Sequence, residues 1–395
     1  MSHPNVLRES GRPLFFKVNN PEELGIDLPA IRLGDVVRLA VRSLSVMQKE
    51  ALVLSPRTGA AWRLASDEGA YLEGHDEAPC PLSFLSTGMV SSYMEEILAL
   101  AKQRGIEIRD IVLCLDNFYT MKGSALKGTM TGGAEDVRLE ARIHADADDA
   151  TLRALVYDAV AASPLNGLMR GEKDSLFSLT HNGEAIGLAK AKPVAGDTPP
   201  CPDECFERAE IAEGDWSGLV AHSGQMSPRT EETVTLAGGS LTDEQDRRLH
   251  VQVTCRLGED GVKRIEQRLF NPHGSIFHFL SSEDGRAPDA ASYIAAGIGF
   301  CFMTQFGRYA KIVGKPLSDY RILQDFHFSL GGASGGTGKA GQALPLETHC
   351  HLTSTEDDDY ARTCLDMAEQ TCFLHAFCRT DLKARVKVSR VSYAA

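Results

Sequence analysis

The stretch Pro288-Asp-Ala-Ala-Ser-Tyr-Ile-Ala-Ala-Gly-Ile-Gly-Phe-Cys301-Phe-Met-Thr-Gln-Phe306 carries apolar residues at helical spacing and almost no charge. Pro288 suits a first helical turn, where its missing N–H is no loss. Gly314 follows the last apolar residues, where glycine readily adopts a left-handed cap. The pattern therefore predicts a long buried helix with the Cys301 thiol at its centre. A second thiol, Cys372, stands at the end of a later helical pattern.

The bulk composition is that of an ordinary globular protein and excludes several classes. The 395 residues are 43% hydrophobic and 24% charged, with a formal net charge of −13. That charge argues against nucleic acid or an anionic membrane as the main partner, because both reward clustered Lys and Arg. No apolar run reaches the ~20 residues that span a bilayer, and the first residues have no signal-peptide core. We therefore expect a cytoplasmic protein whose ten cysteines are mostly reduced.

The second half of the chain repeats the order of elements in the first half, at an offset of 207 to 209 residues. The offset changes only in loops, as a duplication allows, and the period is far too long for a solenoid. The matched positions include Gly88 and Gly297, Asn117 and Asp325, Asp149 and Asp358, Ser92 and Cys301, and Ser163 and Cys372.

The repeat predicts a domain organisation. We expect an N-terminal arm at 1–30, a first domain at 31–190, a linker at 191–214 and a second domain at 215–395. The linker is rich in proline and poor in large apolar residues. Since the first copy has serines where the second has Cys301 and Cys372, any thiol chemistry belongs to the second copy.

Two stretches resemble the OsmC/Ohr family of thiol peroxidases, Ile294-Ala-Ala-Gly-Ile-Gly-Phe-Cys301-Phe302 and the segment from Cys372 to Val388. The resemblance covers about residues 250–395 and, through the repeat, about 35–190. It implies an α+β fold of two tandem OsmC-like domains, each with antiparallel sheets packed around a long apolar helix. Because the family's active unit is an intertwined homodimer, the two domains would form a pseudo-dimer within one chain.

The resemblance also implies an activity, which is thiol-dependent reduction of organic hydroperoxides in oxidative or osmotic stress defence. Cys301 would attack the peroxide as a thiolate, and Cys372 would resolve the resulting sulfenic acid as a disulfide. An external thiol would then reduce the disulfide, with no cofactor and no metal. Such a disulfide needs Cα atoms within about 7 Å. The apolar pocket expected to select organic hydroperoxides would be formed by Tyr293, Phe300, Phe302 and Phe306.

This chain departs from the family at the residues that activate the thiol. The family places a Glu ten residues before the reactive Cys, where it holds an activating Arg, and here that position is Ala291. The nearest acid is Asp289, whose counterpart in the first copy is Cys80. We assign the two roles to Asp289 and Arg268. Competing arginines are Arg57, Arg63 and Arg264.

Other sequence patterns that resemble metal, disulfide or phosphate sites are better interpreted as structural. His349-Cys350-His351 puts two imidazoles on one face of a strand, but further metal ligands at suitable spacing are missing. Cys201 and Cys205 are a weak metal or disulfide pattern in the linker. The glycine-rich run 331–341 fails as a phosphate loop, because Ala340 stands where Ser or Thr should follow the lysine. Cys378 is a rival to Cys372 that the family match disfavours.

An alternative function remains open at this point. The same domains could be a non-catalytic module that binds a hydrophobic ligand in the cleft between them, with the cysteines as lining. The missing Glu at Ala291 favours this alternative, whereas the Cys301 and Cys372 pair favours the enzyme.

Overall fold

The computed structural model describes residues 4–229 and 244–391, which form a mixed α+β protein with open sheets. The helices are α1 Val6–Glu9, α2 Pro81–Gln103, α3 Asp149–Ala162, α4 Asn166–Met169, α5 Cys205–Arg208, α6 Ala290–Val313, α7 Asp358–Thr371 and α8 Phe373–Arg379, with 3-10 turns at Pro21–Leu24 and Ala70–Leu72. The strands are β1 Phe16–Lys17, β2 Asp35–Ser43, β3 Lys49–Ser55, β4 Ala60–Ser66, β5 Ile108–Gly123, β6 Thr131–Ala134, β7 Val137–Ala145, β8 Ser175–His181, β9 Glu184–Ile186, β10 Lys192–Pro193, β11 Val220–Met226, β12 Gln245–Leu257, β13 Lys263–Asn271, β14 Ser275–Ser281, β15 Asp319–Phe328, β16 Leu346–Thr353 and β17 Ala384–Arg390.

Helix α6 forms where the sequence predicts it. Gly314 ends it in the left-handed conformation, at φ 69°, as expected. The start differs slightly, because Asp289 is the N-cap and accepts a hydrogen bond from the Ser292 amide, so Pro288 precedes the helix. The helix is buried almost all round its first five turns, because β2, β3 and β15 of one sheet and the helices α2 and α7 pack against it.

Each sheet combines strands from both halves of the chain. In the described residues, one sheet has the order β1-β4-β3-β2-β15-β16-β8-β10, with β9 paired to β8. The other has the order β11-β14-β13-β12-β5-β7-β17, with β6 paired to β5. The halves meet where β2 pairs with β15 and where β12 pairs with β5, both antiparallel. The predicted domains 31–190 and 215–395 therefore share their sheets, and their boundaries stay a prediction.

The pairing differs in one respect from the antiparallel sheets that we expected. Three pairs are parallel, namely β8 with β10, β8 with β16, and β7 with β17. In the last two pairs the partners come from different halves, so no hairpin turn sets their direction.

The junction between the halves is held by a buried ion pair and by close helix packing. Arg38 of β2 donates from Nε and Nη2 to the two carboxylate oxygens of Asp325 on β15, both at 2.6 Å. At the crossing of α2 and α6, a Cβ added to Gly297 would lie 2.7 Å from the Leu85 amide nitrogen, and one added to Gly88 would lie 2.5 Å from a backbone oxygen of α6. The two matched glycines allow the helix backbones to touch.

Two segments predicted as loops are partly packed. In the predicted linker 191–214, α5 buries Phe206 against β2 and β3. In the glycine-rich run, the Ala333 and Ser334 amides donate to the Glu96 carboxylate of α2, at 2.8 and 3.3 Å. These amides bind a carboxylate of the protein itself, in agreement with the rejection of a phosphate loop.

Candidate functional site

The structure brings Cys301 and Cys372 together. Cys301 lies in the middle of α6 and is 2% exposed, and Cys372 is the fully buried residue between α7 and α8 that caps both helices. Burial and then a hydrogen bond with the Cys301 thiol raise the pKa of Cys372 well above its ordinary value. The Cys372 sulfur also accepts the His375 amide N–H at 3.4 Å. The two thiols are therefore direct neighbours.

The matched serines of the first half are neighbours in the same way. Ser92 lies on α2 and Ser163 directly follows α3, and their hydroxyl oxygens are 2.8 Å apart. The molecule thus has one hydroxyl pair and one thiol pair at positions that the repeat matches. Only the thiol pair can carry redox chemistry.

A small cavity lies beside Cys301 and is built from both halves of the chain. Its volume is about 30 Å³, which is room for about two water molecules. Polar groups occupy one part of the wall and apolar side chains the rest. The polar lining residues are Glu68, Tyr71, Cys80, Arg247, Thr304, Gln305 and Arg308, and the apolar ones include Leu72, Leu82, Leu249, Leu269, Pro272 and Phe373.

Buried cations surround the Cys301 thiol. Burial lowers the pKa of Lys49 to about 8, an effect that Glu68, Asp67 and Cys301 oppose by charge attraction. Burial and the nearby Arg247 lower the pKa of Arg308 to about 10, again opposed by Glu68 and Cys301. Both groups remain charged at neutral pH. A thiolate at Cys301 would lie in the field of both cations.

The structure does not bring Arg268 to Cys301, and this assignment needs correction. Arg268 is 38% exposed on β13 and pairs with Glu266 at 2.7 Å. It does not line the cavity, whereas Arg247 and Arg308 do. The competing arginines are also held elsewhere, Arg57 by Asp289, Arg63 by Glu50 and Arg264 by Asp260.

Asp289 does hold an arginine, but at the wrong end of the helix. Its Oδ2 accepts Arg57 Nη2 at 3.1 Å and the Ser55 hydroxyl at 2.8 Å. Asp289 precedes Cys301 by 12 residues, which is about 18 Å along α6. Arg57 instead lines a cavity of about 310 Å³ beside Ser92. The carboxylate and arginine that the family resemblance implies therefore stand at the serine pair.

The predicted aromatic pocket is also not a pocket. Tyr293, Phe300, Phe302 and Phe306 are fully buried in the core. Phe302 stacks on His375 at 4.6 Å between ring centroids, and the side chains that line the cavity are others. The burial that makes α6 recognisable in sequence also leaves these rings no free space.

Sequence reasoning missed the groups that do surround Cys301. Arg308 follows Cys301 by seven residues, which puts both on one face of α6, so its spacing was a usable signal. Lys49, Glu68 and Tyr71 come from the other half of the chain and had no local signal. The matched position of Asp289, Cys80, is a second thiol on the cavity wall beside Cys301, and burial raises its pKa to about 12.

The other candidate ligands are engaged in ordinary hydrogen bonds. His349 Nδ1 lies 2.8 Å from the Ser178 hydroxyl, and His351 Nδ1 lies 2.9 Å from the Thr180 hydroxyl. In residues 4–229 and 244–391, no group of three or more His, Cys, Asp or Glu side chains is arranged to hold a metal ion. Across the same residues, every helix is too short or too polar to cross a bilayer.

Comparisons with known proteins do not assign this chain to a family. No protein-family model matches the chain, and no curated protein matches it. Among solved structures, an OsmC-like hydroperoxide resistance protein from Jannaschia sp. CCS1 is similar to part of the chain, with 18% identity over 32% of this chain and 81% of that one. The TM-score is 0.20, too low to establish a shared fold.

Proposed function

We propose that this chain is a thiol-dependent reductase of organic hydroperoxides, with Cys301 as the attacking thiol and Cys372 as the resolving thiol. The observation that carries the proposal is that the two buried thiols are neighbours, with Cys301 beside a cavity lined by cations. The cytoplasmic location and the role in stress defence belong to the same proposal.

The proposed reaction has three steps, namely attack on the peroxide, formation of the disulfide and reduction by an external thiol. The Cys301 thiolate attacks the peroxide oxygen, so that an S–O bond forms, the O–O bond breaks and the alkoxide leaves as the alcohol after protonation. Lys49 and Arg308 stabilise the thiolate before the attack. Cys372 then attacks the sulfenic sulfur of Cys301, which releases water and forms the disulfide. An external thiol returns the pair to the reduced state.

The tandem OsmC-like organisation is part of this proposal. The sharing of both sheets between the halves is what a dimer intertwined within one chain requires. The adjacent hydroxyls of Ser92 and Ser163 support the repeat, because they reproduce the thiol contact at the matched positions. The first half then contributes part of the cavity wall around Cys301 and no thiol pair of its own.

The alternative of a hydrophobic-ligand module has no comparable support. The cavity at Cys301 is lined by the charged side chains of Glu68, Arg247 and Arg308, which do not suit a lipid-like ligand. The larger cavity beside Ser92 carries Asp35, Glu95 and Glu283, which do not suit a lipid-like molecule.

The test is the intact mass of the fully reduced protein after one equivalent of cumene hydroperoxide. The wild type should lose two hydrogens, Cys372→Ser should accumulate a sulfenic or over-oxidised form, and Cys301→Ser should stay reduced. Cys364→Ser is the matched control, because Cys364 is a buried thiol of α7 that does not line the cavity, and it should react like the wild type. A wild type that stays reduced, or a Cys301→Ser variant that reacts as fast, refutes the proposal.

A further inference from the structure

Two arginines in the Cys301 cavity have hydrogen-bond donors that no acceptor uses. Arg308 is 3% exposed, and its Nη1 donates to Gln305 Oε1 at 3.0 Å. Its Nε is buried and has no partner within the described part of the chain, and the same holds for Arg247 Nε. A buried donor without an acceptor is costly, and more so in a charged group. Both guanidinium groups line the same small cavity.

The surrounding carboxylates do not neutralise these arginines. Glu68 attracts both arginines electrostatically, and it accepts a hydrogen bond from the Tyr71 hydroxyl at 2.7 Å. Neither arginine reaches a carboxylate of the described residues at ion-pair distance. Within this cluster, the cations Lys49, Arg247 and Arg308 face the carboxylates Asp67 and Glu68. While the Cys301 thiol is protonated, one positive charge is left unmatched even when both carboxylates are ionised.

The position of Arg308 relates the unmatched charge to the thiol. The two residues are seven positions apart on α6, or about 10 Å along the axis. Helical side chains lean toward the N-terminus, and the hydrogen bond of Arg308 with Gln305 agrees with that direction. The guanidinium therefore reaches back along the helix face toward Cys301.

We propose that this cavity binds a carboxylate, or another oxyanion of single negative charge, between Arg247 and Arg308. Resting on the proposed function, the preferred substrate is then a hydroperoxide that carries a carboxylate a few bonds from its peroxide group. A carboxylate accepts hydrogen bonds on both oxygens, so it can take one from the free Nε of each arginine. The cavity volume of about 30 Å³ suits a group of that size.

The first arm of the test measures anion binding without the redox chemistry. Sodium acetate and its neutral isostere acetamide are titrated into reduced Cys301→Ser, and the melting temperature is followed. Acetate should raise the melting temperature in a saturable way, and acetamide should not. Adding Arg308→Gln should weaken acetate binding about tenfold or more. Adding Arg264→Gln, at an exposed arginine paired with Asp260, should leave it unchanged.

The second arm measures the substrate. The ratio of kcat/KM for 5-hydroperoxypentanoate to that for its methyl ester should exceed about ten in the wild type and fall toward one in Arg308→Gln. The ratio cancels any general effect of Arg308 on the thiolate. Arg247→Gln is the second variant if Arg308→Gln does not fold.

The outcomes separate the two proposals. Equal stabilisation by acetate and acetamide, or acetate binding unaffected by both arginine variants, overturns the anion site. Acetate binding without a substrate preference means that the occupant is a free anion and overturns the substrate assignment. Acetate binding in a protein whose Cys301 is inert to every hydroperoxide supports the anion site while refuting the reductase function.

Discussion

Lys49 is a buried amine whose charge should be visible in the pH dependence of stability. It is 0% exposed on β3, its amine donates to the Val46 carbonyl oxygen at 3.2 Å, and burial lowers its pKa from 10.5 to about 8. The folded protein therefore releases this proton at lower pH than the unfolded chain does. Between pH 7 and pH 10 the unfolded state holds more of the proton, so the free energy of unfolding rises with pH.

The magnitude follows from the two pKa values. A pKa lowered from 10.5 to about 8 corresponds to about 3 kcal/mol of destabilisation at pH 7 relative to the neutral amine. Most of this, about 2.5 kcal/mol, is recovered by pH 10. Tyr71 and Cys80, whose pKa values burial raises, act in the opposite direction at high pH. They are present in both proteins of a matched pair, so a difference between variants cancels their contribution.

The assay is urea unfolding of the reduced wild type and of Lys49→Met at pH 7, 8, 9 and 10. Across this range the free energy of unfolding of the wild type should rise by about 2.5 kcal/mol relative to that of the variant. The difference in stability between the two proteins at pH 7 is not the test, because removing Lys49 also leaves Asp67 and Glu68 without a cation. Lys387→Met, at an exposed lysine paired with Glu140, should show no such slope. A difference between wild type and Lys49→Met that stays constant or changes in the other direction would refute the reasoning.

Three further predictions concern the repeat and its helices. Ser92→Cys with Ser163→Cys should close a disulfide on oxidation, since the hydroxyls are 2.8 Å apart, and the 71-residue loop should add up to about 4 kcal/mol in denaturant unfolding. Thiols that stay free would contradict this. Gly297→Ala should lose about 1–3 kcal/mol in the same assay, because its Cβ meets a backbone nitrogen of α2 at 2.7 Å. A variant more stable than the wild type would show that α2 and α6 can move apart enough to accommodate the methyl group. Asp289→Ala should cost at least about 1 kcal/mol through its lost cap, yet leave the rate of Cys301 oxidation unchanged. A slower oxidation would return Asp289 to the reactive site.

Much of the local structure could be predicted from the sequence. The left-handed cap at Gly314 and the course of α6 follow from apolar spacing and capping chemistry, which act within a few turns. The positions of Cys301 and Cys372 relative to their helices follow in the same way. The starts of α2 and α3 depend on short-range chemistry in the same way, since Pro81 is the first residue of α2 and Asp148 caps α3.

Only the tertiary structure decided which groups surround the thiols. The alternation pattern of a strand says which face is buried and not which strand lies beside it, so the pairing of β2 with β15 and of β12 with β5 had no sequence signal. This sharing of sheets between the halves brings Lys49 and Glu68 of the first half to Cys301 of the second. It likewise brings Arg57 to Asp289 and away from the thiols. The sequence by itself determined the helices and their thiols, because those depend on neighbours in the chain. Of the charges around Cys301, Arg308 lies on the same helix, whereas Lys49 and Glu68 depend on contacts across more than 200 residues, which only the folded chain makes.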